Sequence, residues 1–109
     1  MTSVEIRRVE TNKKQYLALL LLADEQEDMI DRYLERGSMY VLEDDGVKAE
    51  CVVTDEGGGV LELKNIAVEP DFQGKGYGKA LVDFLIRTYA GQYMLLQVGT
   101  GDSPLSLIH

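Results

Sequence analysis

A chain of 109 residues with 45% hydrophobic content supports one small domain, residues 1–109, and no second core. Its formal net charge of −8 argues against nucleic acid as a partner, because neutralising phosphate needs clustered Lys and Arg. Cys51 is the only cysteine and His109 the only histidine, which excludes an intrachain disulfide and leaves no basis for a Cys cluster, a His triad or a multi-His metal site, so no metal is expected.

Val4, Ile6 and Val9 predict a first strand with Glu5 and Arg7 on its other face. Asn12 followed by Gln15 reads as a capping box opening a deeply packed helix over residues 16–22. The leucine run at 19–22 is too short to span a membrane and lacks the small-residue cleavage site of a signal peptide, so a cytoplasmic protein with no membrane partner is expected. Asp24 with Glu27 offers a second cap, after which Met29, Ile30, Tyr33 and Leu34 form an apolar stripe ending at Gly37. The acidic residues crowded between Asp24 and Glu35 read first as caps and a solvated face.

Strands follow at residues 39–43 and 47–54, joined by the turn signal Asp44-Asp45-Gly46. Glu56-Gly57-Gly58-Gly59 makes a further turn into a strand over residues 60–68. A helix starting at Lys75 or Tyr77 turns Ala80, Leu81, Phe84, Leu85 and Tyr89 to the sheet and stops at Gly91. Residues 93–98 form the next strand, and Ser103-Pro104 predicts the cap and first position of another helix.

Residues 62–81 carry the chemistry. They run from strand through a sharp turn into a glycine-rich loop and a helix start, where Gly74, Gly76 and Gly78 let the backbone approach a ligand. Free first-turn amides, the positive end of the helix dipole, and Lys75 and Lys79 together make an anion cradle. A Walker A loop does not fit: Gly74 leaves only three residues before Gly78-Lys79, and Ala80 stands where a magnesium-binding hydroxyl is needed. A dinucleotide G-x-G-x-x-G loop does not fit either, because it meets Lys79 or Leu81 at its third glycine.

The spacing Gln73-x-x-Gly76-x-Gly78, after the strand end Asn65-Ile66-Ala67-Val68 and Glu69-Pro70, resembles the pyrophosphate loop of the GNAT superfamily of acetyl-CoA-dependent N-acetyltransferases. The resemblance implies an α/β fold, a mixed central sheet flanked by helices in the order β-α-α-β-β-β-α-β. The final helix and strands of the family pattern would be missing, as in a C-terminally truncated chain. It implies acetyl-CoA as cosubstrate, with Gln73, Gly74, Lys75, Gly76, Tyr77, Gly78 and Lys79 around the pyrophosphate. The backbone of Ile66, Ala67 and Val68 would pair with the pantetheine arm, a bulge aiming an amide at the thioester carbonyl. Asp102 approximates the position of an asparagine that contacts the cofactor arm in the family, although an ionised carboxylate cannot donate a hydrogen bond.

Glu62, eleven positions before Gln73, matches the spacing of a general base in the histone acetyltransferase branch. A carboxylate facing a partly dry cleft would have its pKa raised toward a useful range. The alternative is a solvated strand residue pairing with Lys64 or Lys48. The expected general acid would lie beyond His109. The function implied is transfer of an acetyl group to a primary amine of a small molecule or peptide by direct attack, with the region 24–35 bordering the acceptor cleft. The second reading is a non-catalytic acyl-CoA-binding or interaction module. A homodimer could supply packing that a truncated sheet lacks, since the strand at 93–98 would otherwise present an open edge.

Overall fold

The computed structural model describes residues 4–98 and the backbone of Leu105–Ser106. One mixed sheet contains six strands in sequence order: β1 (Glu5–Val9), β2 (Ser38–Glu43), β3 (Val47–Gly57), β4 (Val60–Val68), β5 (Leu95–Val98) and β6 (Leu105–Ser106). All neighbours are antiparallel except β4 and β5, which are parallel and are therefore joined by a crossover containing helix α3 (Tyr77–Tyr89). A short 3₁₀ turn (Lys13–Tyr16) leads into α1 (Leu17–Ala23), and α2 (Glu27–Asp31) follows.

Strand alternation divides the core into two layers. On the α3 face, Tyr40, Leu42, Ala49, Cys51 and Val53 pack with Leu81, Leu85 and Tyr89, and the Tyr40 and Tyr89 hydroxyls hydrogen-bond at 2.6 Å. On the opposite face Met39, Val41 and Val52 pack with Leu20, Ile30, Tyr33 and Leu34. The expected strands and the helix from Tyr77 are thus in place, and the burial of Leu81, Leu85 and Tyr89 follows the expected helical stripe.

Three local expectations fail for identifiable reasons. Neither Asn12 nor Asp24 caps a helix with its side chain. Asn12 adopts a left-handed conformation (φ 51°), which asparagine tolerates, and the N-cap position of α2 is Gln26. Asp24 instead accepts a hydrogen bond from the Tyr33 hydroxyl at 3.1 Å. The helix expected from Ser103-Pro104 is also not found: those two residues lie outside the described residues, and Leu105 and Ser106, where that helix would run, form β6 opposite Leu96 and Leu95. The outer edge of β5, expected open, is therefore paired at those two positions.

The turn after α2 is held by a lysine and a glycine. Lys13 is buried and its ammonium donates to the carbonyls of Leu34 (2.8 Å), Gly37 (2.8 Å) and Glu35 (3.4 Å), satisfying acceptors that a helix end leaves free. A Cβ on Gly37 would lie 2.8 Å from the Tyr33 carbonyl oxygen and 2.9 Å from the Val52 side chain, so this position admits no larger residue without a shift of backbone. Replacing Lys13 with Met should therefore lower stability by about 3 kcal/mol, the order expected when charge-assisted bonds to buried carbonyls are lost, read as a drop in urea midpoint with unchanged m-value.

Candidate functional site

The site is organised by β4. Its register with β3 runs Ala49 to Val68, Glu50 to Ala67, Cys51 to Ile66 and Val52 to Asn65, then shifts so that Val53 faces Leu63. Lys64 is the extra residue of a β-bulge. The resemblance places the bulge among Ile66, Ala67 and Val68; it falls two residues before Ile66, and the three expected positions are regularly paired with β3. The bulge inverts the alternation of the strand. Leu61 and Leu63 pack on the α3 face before it, Ile66 and Val68 on that face after it, and Glu62, Asn65 and Ala67 are left together on the other.

On its far side β4 pairs with β5 only from Val60 to Leu63. From Lys64 onward no strand among the described residues occupies that edge, so the strand edge running past Ile66, Ala67 and Val68 is open to an extended ligand there, with the Val68 carbonyl already taken by the Gln73 amide. A cleft of about 300 Å³ is lined by those three residues together with Leu22, Gln73 and Gly78. Leu22, expected to be deeply packed, is half exposed at this wall.

After β4 a 3₁₀ turn (Pro70–Phe72) reverses the chain, and the Gln73 amide donates to the Val68 carbonyl at 3.3 Å, tying the loop to the strand end. Gly74 and Gly76 have φ of 81° and 87°, values that disfavour any other residue. A Cβ at either would meet no heavy atom within 4 Å, so the space before the loop is open. Gly76 is the N-cap of α3, which no side chain caps and whose first turn contains no acidic residue. The first-turn amides and the helix dipole are thus directed at an open cleft wall, an arrangement that fits a phosphate-bearing ligand.

The other loop residues divide. Lys75 is exposed at the loop, whereas the Lys79 ammonium is 2.7 Å from Asp83, which offsets its charge. Tyr77 packs at the helix start, and its hydroxyl donates to Asp44 in the β2–β3 turn; that hydrogen bond raises the phenol pKa. Asp102 lies outside the described residues.

Glu62 is buried, its side chain 8% exposed, so it is not a solvated strand residue. Lys64 lies 2.6 Å from one carboxylate oxygen, and Gln97 of β5 donates to the other at 2.6 Å. Lys48 is not a partner: its ammonium bonds the Asp45 carbonyl and lies 4.6 Å over the Phe72 ring. Each carboxylate oxygen can accept more than one hydrogen bond, so the two contacts orient Glu62 without exhausting it. It lines a second cavity, of about 430 Å³, with Asp24, Arg32, Tyr33, Arg36 and Lys64. Along β4, Glu62 and Lys64 face this cavity and residues 66–68 face the first; along the end of α1, Asp24 faces this cavity and Leu22 the first.

Sequence reasoning passed over the polar groups beside this site. Asn65 donates to the Leu20 carbonyl and to the Tyr33 hydroxyl, both at 3.0 Å, joining β4 to α1 and to the turn after α2. Burial pushes the Tyr33 phenol up to about 12. Glu50 is fully buried opposite Ala67 and Val41, and neither of its oxygens has a hydrogen-bond partner among the described residues. The only signal for it is the apolar run Cys51-Val52-Val53 beside it, since Lys48 and Glu50 together read as a solvent face. Among the described residues no group of three or more His, Cys, Asp or Glu could hold a metal ion, and no helix is long and apolar enough to cross a membrane.

Burial alone raises the Glu50 carboxyl to about 8 from an ordinary value of 4.5. The folded protein then keeps a proton that the unfolded chain releases, so stability falls as pH rises from about 4.5 to about 8 and is indifferent to this group outside that window. At about 1.36 kcal/mol per pH unit the loss is on the order of 5 kcal/mol. Glu50→Gln should flatten the stability profile between pH 5 and 8 by that order, measured as the difference in urea-unfolding free energy between the two proteins at each pH.

A family model described as Acetyltransferase (GNAT) domain matches residues 35–104. A Bacillus subtilis (strain 168) protein named Uncharacterized N-acetyltransferase YvbK is 38% identical over 98 residues, 88% of this chain and 63% of that protein. Among solved structures, an IAA acetyltransferase from Bacillus cereus ATCC 14579 is 38% identical with a TM-score of 0.79, covering 88% of this chain and 65% of that one. An acetyltransferase from Elizabethkingia anophelis with acetyl-CoA bound is 29% identical with a TM-score of 0.81, covering 87% and 63%. The chain therefore spans a little under two thirds of the length of these relatives.

Proposed function

Because this chain belongs to the GNAT acetyltransferase family, we propose that it binds acetyl-CoA and transfers the acetyl group to a primary amine by direct attack. The observation that carries the reading is convergence: the loop residues Gln73 and Gly78 line the same cleft as the unpaired β4 edge at Ile66, Ala67 and Val68. One end of that cleft suits a pyrophosphate and the other an extended pantetheine arm. The E. anophelis structure, with acetyl-CoA bound, supports the choice of cosubstrate.

When bound, acetyl-CoA supplies the activated acetyl group. The chain contributes position and a proton acceptor. The amides at the start of α3, with Lys75, hold the pyrophosphate, and the backbone of residues 66–68 holds the arm. Glu62, in the adjoining cavity, takes a proton from the ammonium form of the acceptor, directly or through water, so that a neutral amine attacks. Overall an ammonium and a thioester become an amide, a free thiol and one released proton. We read residues 1–109 as one domain; a small molecule or a peptide can supply the amine, and a role restricted to binding acyl-CoA is the alternative that assays of turnover separate from this one.

Gly76→Val should weaken CoA by about tenfold or more, because φ of 87° is strained for a β-branched residue and the new side chain projects into the open space before the loop. Calorimetric titration of a folded variant with unchanged CoA affinity would remove the central claim. Glu62→Gln should lower kcat by roughly 10²–10⁴-fold near neutral pH, with the deficit shrinking as the amine deprotonates unaided at higher pH. CoA affinity should scarcely move; a pH-rate profile matching the unsubstituted protein throughout would leave Glu62 as a structural partner of Lys64.

A further inference from the structure

The second cavity carries a charge pattern that general acetyl transfer does not require. On a chain of net charge −8, three cations converge on it: Arg32, Arg36 and Lys64. Both arginines lie in the turn after α2, where the Arg36 Nε donates to the Arg32 carbonyl at 3.3 Å. Arg36 is paired with Glu56, 3.3 Å away, and Lys64 with Glu62. Arg32 is exposed, and its guanidinium has no hydrogen bond or ion pair among the described residues. The carboxylates Asp24 and Glu62 line the same cavity, so it offers acceptors for an ammonium group and a free guanidinium fork for an anion.

We propose that the acceptor is a small amino acid, an amine and a carboxylate on one molecule, with its carboxylate on Arg32 and its nitrogen toward Glu62. A planar guanidinium pairs with a carboxylate through two parallel hydrogen bonds, which fixes orientation as well as attraction. The cavity, about 430 Å³, is of small-molecule size. This inference rests on the acetyltransferase reading and deepens it by naming the acceptor class.

The test compares linear ω-aminocarboxylates of three to six carbons with alkylamines of equal length, whose nitrogens are chemically alike, titrated into the full chain with CoA present. At least one aminocarboxylate should bind about tenfold more tightly than its alkylamine, the size expected for one charge-assisted pair at an exposed site. Arg32→Gln should bring it down to the alkylamine's affinity, and Arg32→Lys should restore part of the difference. Peptides ending in a free carboxylate are the second arm: tighter binding of these than of every aminocarboxylate would assign the anion site to a peptide and overturn a free amino acid. Equal affinities within each pair, a preference that survives Arg32→Gln, or no binding by either series would likewise overturn the proposal. A CoA titration on the same samples separates the two readings, because CoA binding without a carboxylate preference rejects this inference alone, and absence of CoA binding rejects the acetyltransferase reading itself.

Discussion

β4 is hydrogen-bonded to β3 along its whole length and to β5 only as far as Leu63, and both cavities are arranged around that parting. Backbone donors and acceptors cannot be left buried without partners, so a central strand that loses one neighbour must face either water or a ligand along that edge. Here the open edge meets a glycine-rich turn at the start of α3, which no side chain among the described residues caps, and the two border one cleft. The cleft is thus shaped largely by backbone geometry. Side chains such as Ile66 and Val68 mainly pack against the α3-side core and hold the strand in place.

The cost of keeping β4 open is met on its other face. Asn65 joins Leu20 of α1 to Tyr33, whose hydroxyl reaches Asp24, so one amide side chain ties α1 and the turn after α2 to the strand. Neither α1, with seven residues, nor α2, with five, has the length to be stable alone, and tertiary contacts must supply what propensity cannot. Lys13 acts in the same way on the carbonyls after α2. Glu50 has no such partner: its isolated burial opposes folding whenever it is charged, and no contact among the described residues offsets that.

How much of this could be read without coordinates differs from element to element. The strands, the 44–46 hairpin turn and α3 were legible because apolar periodicity and glycine punctuation are local signals. The loop was legible for the same reason, since Gly74 and Gly76 occupy positions where φ is positive. Side-chain capping by Asn12 and Asp24 was a reasonable local inference that lost to tertiary demand: Asp24 is drawn to Tyr33 and Asn12 to a left-handed turn. The strand at Leu105–Ser106 likewise prevails over the helix-start signal before it, because pairing with β5 satisfies backbone groups that a short helix end would leave free.

The sequence by itself determined the order of elements as far as β5, the glycine-rich loop and the identity of the central strand, all of which depend on residues close together in the chain. Which residues share a face was decided only by the tertiary structure. A strict period of two would have grouped Glu62 with Ile66 and Val68, but the bulge at Lys64 shifts the register by one and places Glu62 with Asn65 and Ala67, toward α1 and α2. The burial of Glu50, the buried contacts of Lys13 and the convergence of Arg32, Arg36 and Lys64 are of the same kind. Each arises between segments distant in sequence, and no local pattern encodes a neighbour that only sheet pairing and helix docking bring into contact.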